Sequence, residues 1–210
     1  MSGSLTIAVS KGRIFDACVP LLAKVGARPL NDPRTSRRLI LATQTHEIKL
    51  LVIRAQDVPT FVDHGAADFG IAGKDVLLEF PGEAFYEPLD LGIAQCRMVV
   101  ACREGMLNEV TRPRVATKYV NTTRRYYAQR GIQAEIIRLY GSMELAPLTG
   151  LAERIVDLVD TGSTLSANGL VELDTIAHIS SRLIVNKASM KMKHARVTEF
   201  IGELEKALPQ

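Results

Sequence analysis

Asp157-Leu-Val-Asp-Thr-Gly-Ser-Thr-Leu165 carries an apolar strand straight into a polar turn, and the rest of the chain is read outward from it. Ile155, Val156, Leu158 and Val159 form a short buried-strand pattern, which Asp160-Thr-Gly-Ser-Thr164 breaks with one glycine and three hydroxyl residues. Ser163 or Thr164 is expected to cap the short segment Leu165-Ser-Ala-Asn168. Backbone N–H groups and hydroxyls would then converge just beyond the carboxyl end of a strand, a setting that suits a phosphate monoester. Asp157 and Asp160 flank the turn. Carboxylates there would repel a bare phosphate, but they can accept hydrogen bonds from sugar hydroxyls or touch a magnesium ion that bridges to the ligand. The combination points to a phosphorylated ribose, against the plainer reading of a strand that ends in a Gly/Ser turn.

A chain of 210 residues with 47% hydrophobic content can bury one large core or two smaller ones. Lys and Arg total 26 against 23 Asp and Glu, a net charge of +3 spread along the chain. So small an excess argues against generic nucleic-acid binding and leaves anionic small ligands open. No tract is long and apolar enough to span a bilayer, and Met1-Ser-Gly-Ser4 leads directly into a strand pattern, so a cytoplasmic protein is expected. Cys18, Cys96 and Cys102 are odd in number and lie in apolar periodic stretches, as reduced core thiols do. His46, His64, His178 and His194 show no metal-ligand spacing.

Along the chain, strand and helix patterns alternate. Leu5 to Val9 reads as a buried strand, Ser10-Lys-Gly-Arg13 as a sharp turn, and Ile14 to Val25 as an amphipathic helix closed by Gly26. Lys11, Gly12 and Arg13 thus sit at a second strand-to-helix junction, where parallel-sheet proteins bind ligands. Asn31-Asp-Pro-Arg-Thr-Ser-Arg-Arg38 is a loop with three arginines, which either lie in solvent or clamp a polyphosphate with their planar forks. Strands follow at 39–42 and 48–54, then a helix beginning with a capping Asp57, a strand at 67–73, a helix at 74–79 and strand-like stretches at 86–91 and 95–102. In the middle third, Arg114 to Lys118 is a strand, Asn121 caps a helix, and Ala134 to Leu139 is a strand. Tyr140-Gly-Ser-Met-Glu-Leu-Ala-Pro147 makes a third junction, with Glu144 near the helix start. Leu173 to Val185 reads as one long returning strand and Ala188 to Leu208 as one amphipathic helix. The alternation predicts an α/β fold with largely parallel sheets.

Several blocks in order resemble the catalytic subunit of ATP phosphoribosyltransferase: Asp157 to Leu165 with Ala167-Asn-Gly-Leu170, Leu139-Tyr-Gly-Ser-Met-Glu-Leu-Ala-Pro147, Ser10-Lys-Gly-Arg13, Gly70-Ile-Ala-Gly73 and Ala116-Thr-Lys-Tyr119. The resemblance covers nearly the whole chain. It implies two α/β lobes like those of type II periplasmic binding proteins, with the active site in the inter-lobe cleft. Residues 1–92 with 174–210 would form the first lobe, and residues 93–173 the second. It implies transfer of the 5-phosphoribosyl group of phosphoribosyl pyrophosphate to N1 of ATP, with magnesium required, as the first step of histidine biosynthesis. In that light Asp160, Thr161, Gly162, Ser163, Thr164 and Leu165 match the loop that holds the ribose 5-phosphate, with Glu144 and Asp157 or Asp160 at the ribose hydroxyls. Arg13 and Arg37 match the family's arginines at the polyphosphates, as catalytic residues, with Lys11, Gly12, Arg54 and Lys118 beside them. No direct side-chain ligation of the metal is assured. The chain stops after the helix near Leu208, so it resembles the short form, a homodimer within a hetero-oligomer with a regulatory subunit similar to a histidyl-tRNA synthetase.

The chemistry agrees with such a residue set. Breaking the bond from C1 to pyrophosphate builds positive charge on the ribose and negative charge on the leaving group. Arginines and magnesium at the departing oxygens and carboxylates near the sugar therefore stabilise the transition state without a covalent nucleophile. Two other functions fit the residues: a non-catalytic small-molecule sensor with the same two lobes, and a phosphoribosyltransferase for another base.

Overall fold

The computed structural model describes residues 3–32, 35, 36, 38–106 and 110–209. The chain divides into two compact units, Met1–Ala94 with Ser180–Gln210 and Gln95–Ile179. The expected limits for the second lobe, 93–173, stop short of its last strand, which continues to Ile179 before the chain leaves that sheet.

In the first unit the chain runs β1 Leu5–Ser10, α1 Arg13–Lys24, β2 Ile40–Ala42, β3 Ile48–Ile53, a 3-10 turn at Ala55–Asp57, α2 Val58–Asp63, β4 Phe69–Gly73, α3 Lys74–Glu79 and β5 Phe85–Asp90. The second unit holds β6 Cys96–Arg103, β7 Arg114–Thr117, α4 Val120–Gln129, β8 Glu135–Arg138, α5 Leu145–Leu148, β9 Arg154–Val159, α6 Ser163–Ala167 and β10 Leu170–Ile179. The chain then re-enters the first unit as β11 Ser181–Asn186, α7 Lys187–Met192 and α8 His194–Ala207.

The first sheet has the order β2-β3-β1-β4-β11-β5, with β3, β1 and β4 parallel and β2 and β11 antiparallel to their neighbours. Leu5, Ile7 and Val9 alternate along β1 onto one face. They meet Leu50 and Val52 of β3, Phe15, Cys18 and Leu22 of α1, and Val197, Phe200 and Leu204 of α8. Ala8 faces the other way, onto Val58 and Val62 of α2. Burial pushes the Cys18 thiol up to about 12, which makes it an inert core residue. The second sheet has the order β10-β6-β9-β7-β8. Only β9, β7 and β8 are parallel, so each sheet is mixed rather than largely parallel. Val99 and Ala101 of β6 and Ile155 and Val159 of β9 form one apolar face, covered by Met143, Ala146 and Leu165 from the α5 and α6 regions.

Two long elements of the sequence reading are each split. The strand expected over 173–185 is β10 and β11, which belong to different sheets and part at Ser180. There the Ser180 carbonyl accepts the Lys74 N–H and the Ser180 hydroxyl donates to Asp90 at 2.7 Å. The last helix is interrupted at Lys193, whose ammonium donates to the Ser4 carbonyl at 2.8 Å and to both carboxylate oxygens of Asp68. Asp68 is buried and also accepts from Thr6 N–H and the Ser189 hydroxyl, so this cluster ties the returning helices to β1. Among the described residues, no helix is long and apolar enough to cross a membrane.

Candidate functional site

In a doubly wound sheet, ligands sit at the carboxyl ends of neighbouring parallel strands whose connections leave in opposite directions. In the second unit that point lies between β7 and β9, since β7 leads away to β8 while β9 leads through α6 to the far edge. A cavity of about 270 Å³ opens at the carboxyl end of β9. Glu144, Asp157, Asp160 and the run from Thr161 to Leu165 all line it, over a floor that includes Val99, Ile155 and Val159. Every residue assigned from sequence to the phosphoribosyl group thus faces one space.

The loop's shape follows from Gly162. It holds φ 84° and ψ −2°, a left-handed conformation that costs glycine little, and it stands at the N-cap of α6. The expected cap by Ser163 or Thr164 is therefore corrected: the helix starts at Ser163, ahead of the expected start at Leu165, and no side chain caps it. Ser163 N–H reaches only the Thr161 hydroxyl at 3.4 Å, and the Thr161 and Ser163 hydroxyls lie 3.0 Å apart. No acceptor is found among the described residues for the N–H groups of Thr161, Gly162, Thr164 and Leu165. The Leu165 side chain is buried in the apolar cluster of this unit, so it anchors the loop that lines the cavity. Asn121 and Asp57 likewise make no side-chain cap, because α4 begins at Val120 and a 3-10 turn precedes α2.

Asp157 lies on β9, paired with Val99, and its Oδ1 accepts the Leu158 N–H at 2.8 Å. Lys118, just beyond β7, places its Nζ 3.6 Å from the same oxygen. Burial pushes the Asp157 carboxyl above its ordinary value, and nearby Glu144 adds to this while the Lys118 ammonium opposes it. Glu144 is half-buried at the N-cap of α5, so a carboxylate, a partly buried carboxyl and an ammonium meet at the rim of the loop.

The remaining sequence-assigned residues belong to the first unit. Lys11, Gly12 and Arg13 follow β1 at that sheet's own switch point between β1 and β4, and Arg54 follows β3. Ser10 pairs with Ile53 and Lys11 N–H donates to the Ile53 carbonyl at 3.2 Å, which brings the two strand ends together. Gly12 holds φ 84° and ψ −145°, which turns the chain into α1 and leaves Lys11 and Arg13 exposed. Arg13 donates to the Ala94 carbonyl at 3.5 Å. Arg37 lies outside the described residues.

The sequence reading missed Arg97 and Glu172. Arg97 on β6 donates to the Asp160 carbonyl at 3.1 Å and forks onto Glu172 of β10 at 2.9 and 2.5 Å. Neither residue has a local motif; only the β10-β6-β9 pairing brings both to the loop.

Residues 54–206 match the family described as HisG: ATP phosphoribosyltransferase. The chain belongs to the ATP phosphoribosyltransferase family. A relative from Nitrosococcus oceani named ATP phosphoribosyltransferase is 62% identical, over 97% of this chain and 96% of its own. Among solved structures, the ATP phosphoribosyl transferase (HisG:HisZ) complex from Thermotoga maritima matches with a TM-score of 0.85 and 35% identity, over 97% of this chain and 98% of that one. The periplasmic aliphatic sulphonate binding protein SsuA from Escherichia coli matches at 14% identity with a TM-score of 0.57, over 99% of this chain and 69% of that one, a likeness of fold alone. The ATP phosphoribosyltransferase fold of this chain is thus the two-lobed type II architecture expected from sequence.

Proposed function

We propose that this chain transfers the 5-phosphoribosyl group of phosphoribosyl pyrophosphate to N1 of ATP, releasing pyrophosphate and N1-(5-phosphoribosyl)-ATP, the first step of L-histidine biosynthesis. The observation that carries the assignment of roles is the single cavity shared by Glu144, Asp157 and the loop from Asp160 to Leu165. Four backbone N–H groups with no acceptor among the described residues and three hydroxyls in one turn match the acceptor oxygens of a phosphate monoester. The 5-phosphate is held there, and the ribose hydroxyls donate to Glu144 and Asp157. A carboxylate beside the ring also stabilises the positive charge that grows at C1 as the bond to pyrophosphate stretches.

Arg13, with Arg37, Lys11, Arg54 and Lys118, is the proposed source of positive charge for the polyphosphates. Adenine N1 is unprotonated at neutral pH, so the protein has to align it with the breaking bond rather than remove a proton from it. Among the described residues no three His, Cys, Asp or Glu side chains converge to hold a metal. Magnesium is commonly held by one or two carboxylates plus substrate phosphates, and Asp157 and Asp160 at the cavity fit that demand. When bound, magnesium would supply charge neutralisation on the departing pyrophosphate.

The likeness to the T. maritima HisG:HisZ complex supports a short-form catalytic subunit that works with a regulatory subunit. The chain is proposed to act as a homodimer within such a hetero-oligomer, and the regulatory subunit to be similar to a histidyl-tRNA synthetase. A cytoplasmic setting suits both substrates. The test is to incubate the chain with phosphoribosyl pyrophosphate, ATP and magnesium, with and without that subunit and with added histidine, following the ribosylated adenine by absorbance. Product should form with ATP and not with free adenine. Pyrophosphate release with another base, or no turnover under any of these conditions, would sink the assignment.

A further inference from the structure

The turn that faces the cavity is short of internal support. Its hydroxyls bond to one another, its glycine is left-handed and its helix has no side-chain cap, so its shape must be imposed from outside. Two side chains do this from neighbouring strands. Arg97 grips the Asp160 carbonyl at 3.1 Å, and Glu172 holds the same guanidinium through both carboxylate oxygens. Glu172 also lies against Gly162, since a Cβ built on that glycine would meet Glu172 Oε1 at 3.6 Å.

We propose that Arg97 and Glu172 are a positioning pair that presets the anion-binding turn for the phosphate monoester, an inference that rests on the function proposed above. The reason lies in the peptide plane. In a trans peptide the carbonyl oxygen of Asp160 and the N–H of Thr161 point in opposite directions. Fixing the carbonyl on Arg97, which does not line the cavity, therefore turns the Thr161 N–H away from Arg97 and toward the side of the turn that Thr161 shares with the cavity. A planar fork held at three points has little freedom to rotate, so the N–H is oriented before the ligand arrives. Glu172 neutralises the guanidinium, so the pair supplies orientation rather than attraction at long range. Left without Arg97, the Glu172 carboxylate would stand unpaired beside Gly162 and repel the incoming phosphate.

The experiment uses the full chain with its regulatory subunit, and the probes are ribose 5-phosphate binding by calorimetry and steady-state kinetics with both substrates. Arg97→Ala should weaken ribose 5-phosphate binding and raise KM for phosphoribosyl pyrophosphate by roughly ten- to a hundredfold, the scale of a lost charge-assisted hydrogen bond, with KM for ATP within about twofold. Arg97→Lys should restore part of the loss. Arg97→Ala with Glu172→Ala should bind better than Arg97→Ala alone, because the unpaired carboxylate is gone. A merely structural role would instead lower both affinities and thermal stability together, and the double variant would be the worst of the set. Gly162→Val serves as the reference for the site itself. If it abolishes ribose 5-phosphate binding while Arg97→Ala leaves binding unchanged, the cavity assignment stands and the positioning role is wrong. If neither variant alters binding, the phosphate does not sit at this turn and both ideas fall.

Discussion

The two units finish their parallel strands in opposite chemistry. In the first, the ends of β1 and β3 gather Lys11, Arg13 and Arg54 around Gly12, an exposed and purely cationic set. In the second, the ends of β7 and β9 gather Glu144, Asp157, Asp160 and the hydroxyls of Thr161, Ser163 and Thr164, with Lys118 as the one cation among the assigned residues. The topology is the same device used twice: a switch point that leaves backbone groups unpaired at strand ends. What differs is which half of a charge-separating reaction each end can serve. Cations suit the departing pyrophosphate, whose charge grows in the transition state. A hydroxyl and N–H turn suits the 5-phosphate, whose charge does not change. The first contribution should therefore appear in kcat and the second in KM.

The most severe way to break this division is Arg13→Ala. Its turnover should fall on the order of ten- to a thousandfold, since in the proposed role the guanidinium acts on charge that develops only as the bond breaks. Steady-state kinetics with phosphoribosyl pyrophosphate varied would report it. A kcat like that of the parent would remove Arg13 from the mechanism and leave the cationic end without a catalytic role.

A control within the first unit separates stability from chemistry. Lys193→Ala removes three hydrogen bonds and leaves the buried Asp68 carboxylate without the one cation it pairs with among the described residues. Breaking a buried pair costs about 3–5 kcal/mol, and the partial exposure of Lys193 brings the expected loss to about 2–3 kcal/mol. Chemical denaturation should show it as a lower midpoint at unchanged slope. Both KM values should stay within about twofold of the parent below the transition, because the cluster touches neither strand-end site.

The double variant Thr161→Val, Thr164→Val tests the other half of the comparison. It keeps the side-chain volume and deletes two hydroxyls, one of which also bonds Ser163 within the turn, so KM for phosphoribosyl pyrophosphate should rise roughly tenfold, with kcat within a few-fold of the parent. A fall in kcat at constant KM would mean that the turn acts on the transition state, and the contrast between the two units would be lost.

What could be read from sequence tracks how local the signal is. The β9 turn announces itself because an apolar strand, a glycine and three hydroxyls are contiguous, and Lys11 to Arg13 do so for the same reason. Glu144 is remote in sequence, but its own strand-to-helix junction marks it. Arg97 and Glu172 carry no such mark: they reach the turn only through the antiparallel pairing of β6 with β9 and β10, and that register is set by packing of distant strands. The helix break at Lys193 and the strand break at Ser180 were hidden likewise. Each is held by polar partners far away in the chain, Asp68 in one case and Asp90 in the other, while the local apolar periodicity runs on without interruption. The expected side-chain caps failed for a different reason: α6 and α4 start ahead of the expected positions, while Asp57 does stand at the N-cap of α2 but in a helical backbone conformation from which its side chain makes no cap bond.

The smallest expected effect on stability concerns Asp157, where the acidic end works against the fold. Burial raises its carboxyl above the ordinary value of 3.8, so the folded protein binds a proton more tightly there than the unfolded chain does. Below the unfolded value both states are protonated and the residue is neutral in its effect. As pH climbs through the unfolded value toward the raised folded one, the folded state becomes progressively less stable, and the penalty is fully present above it. Asp157→Asn removes that charge, so its melting temperature should exceed the parent's by on the order of 1–3 °C at pH 7, and the difference should fade as pH falls toward 3. The same variant loses the ionised acceptor proposed for the ribose and should turn over about ten- to a hundredfold more slowly. A carboxylate kept where it costs stability is what a site selected for chemistry shows. If Asp157→Asn were less stable than the parent at neutral pH, the Lys118 ion pair would outweigh burial, and Asp157 would count as a structural member of the second unit rather than as part of its acidic strand end.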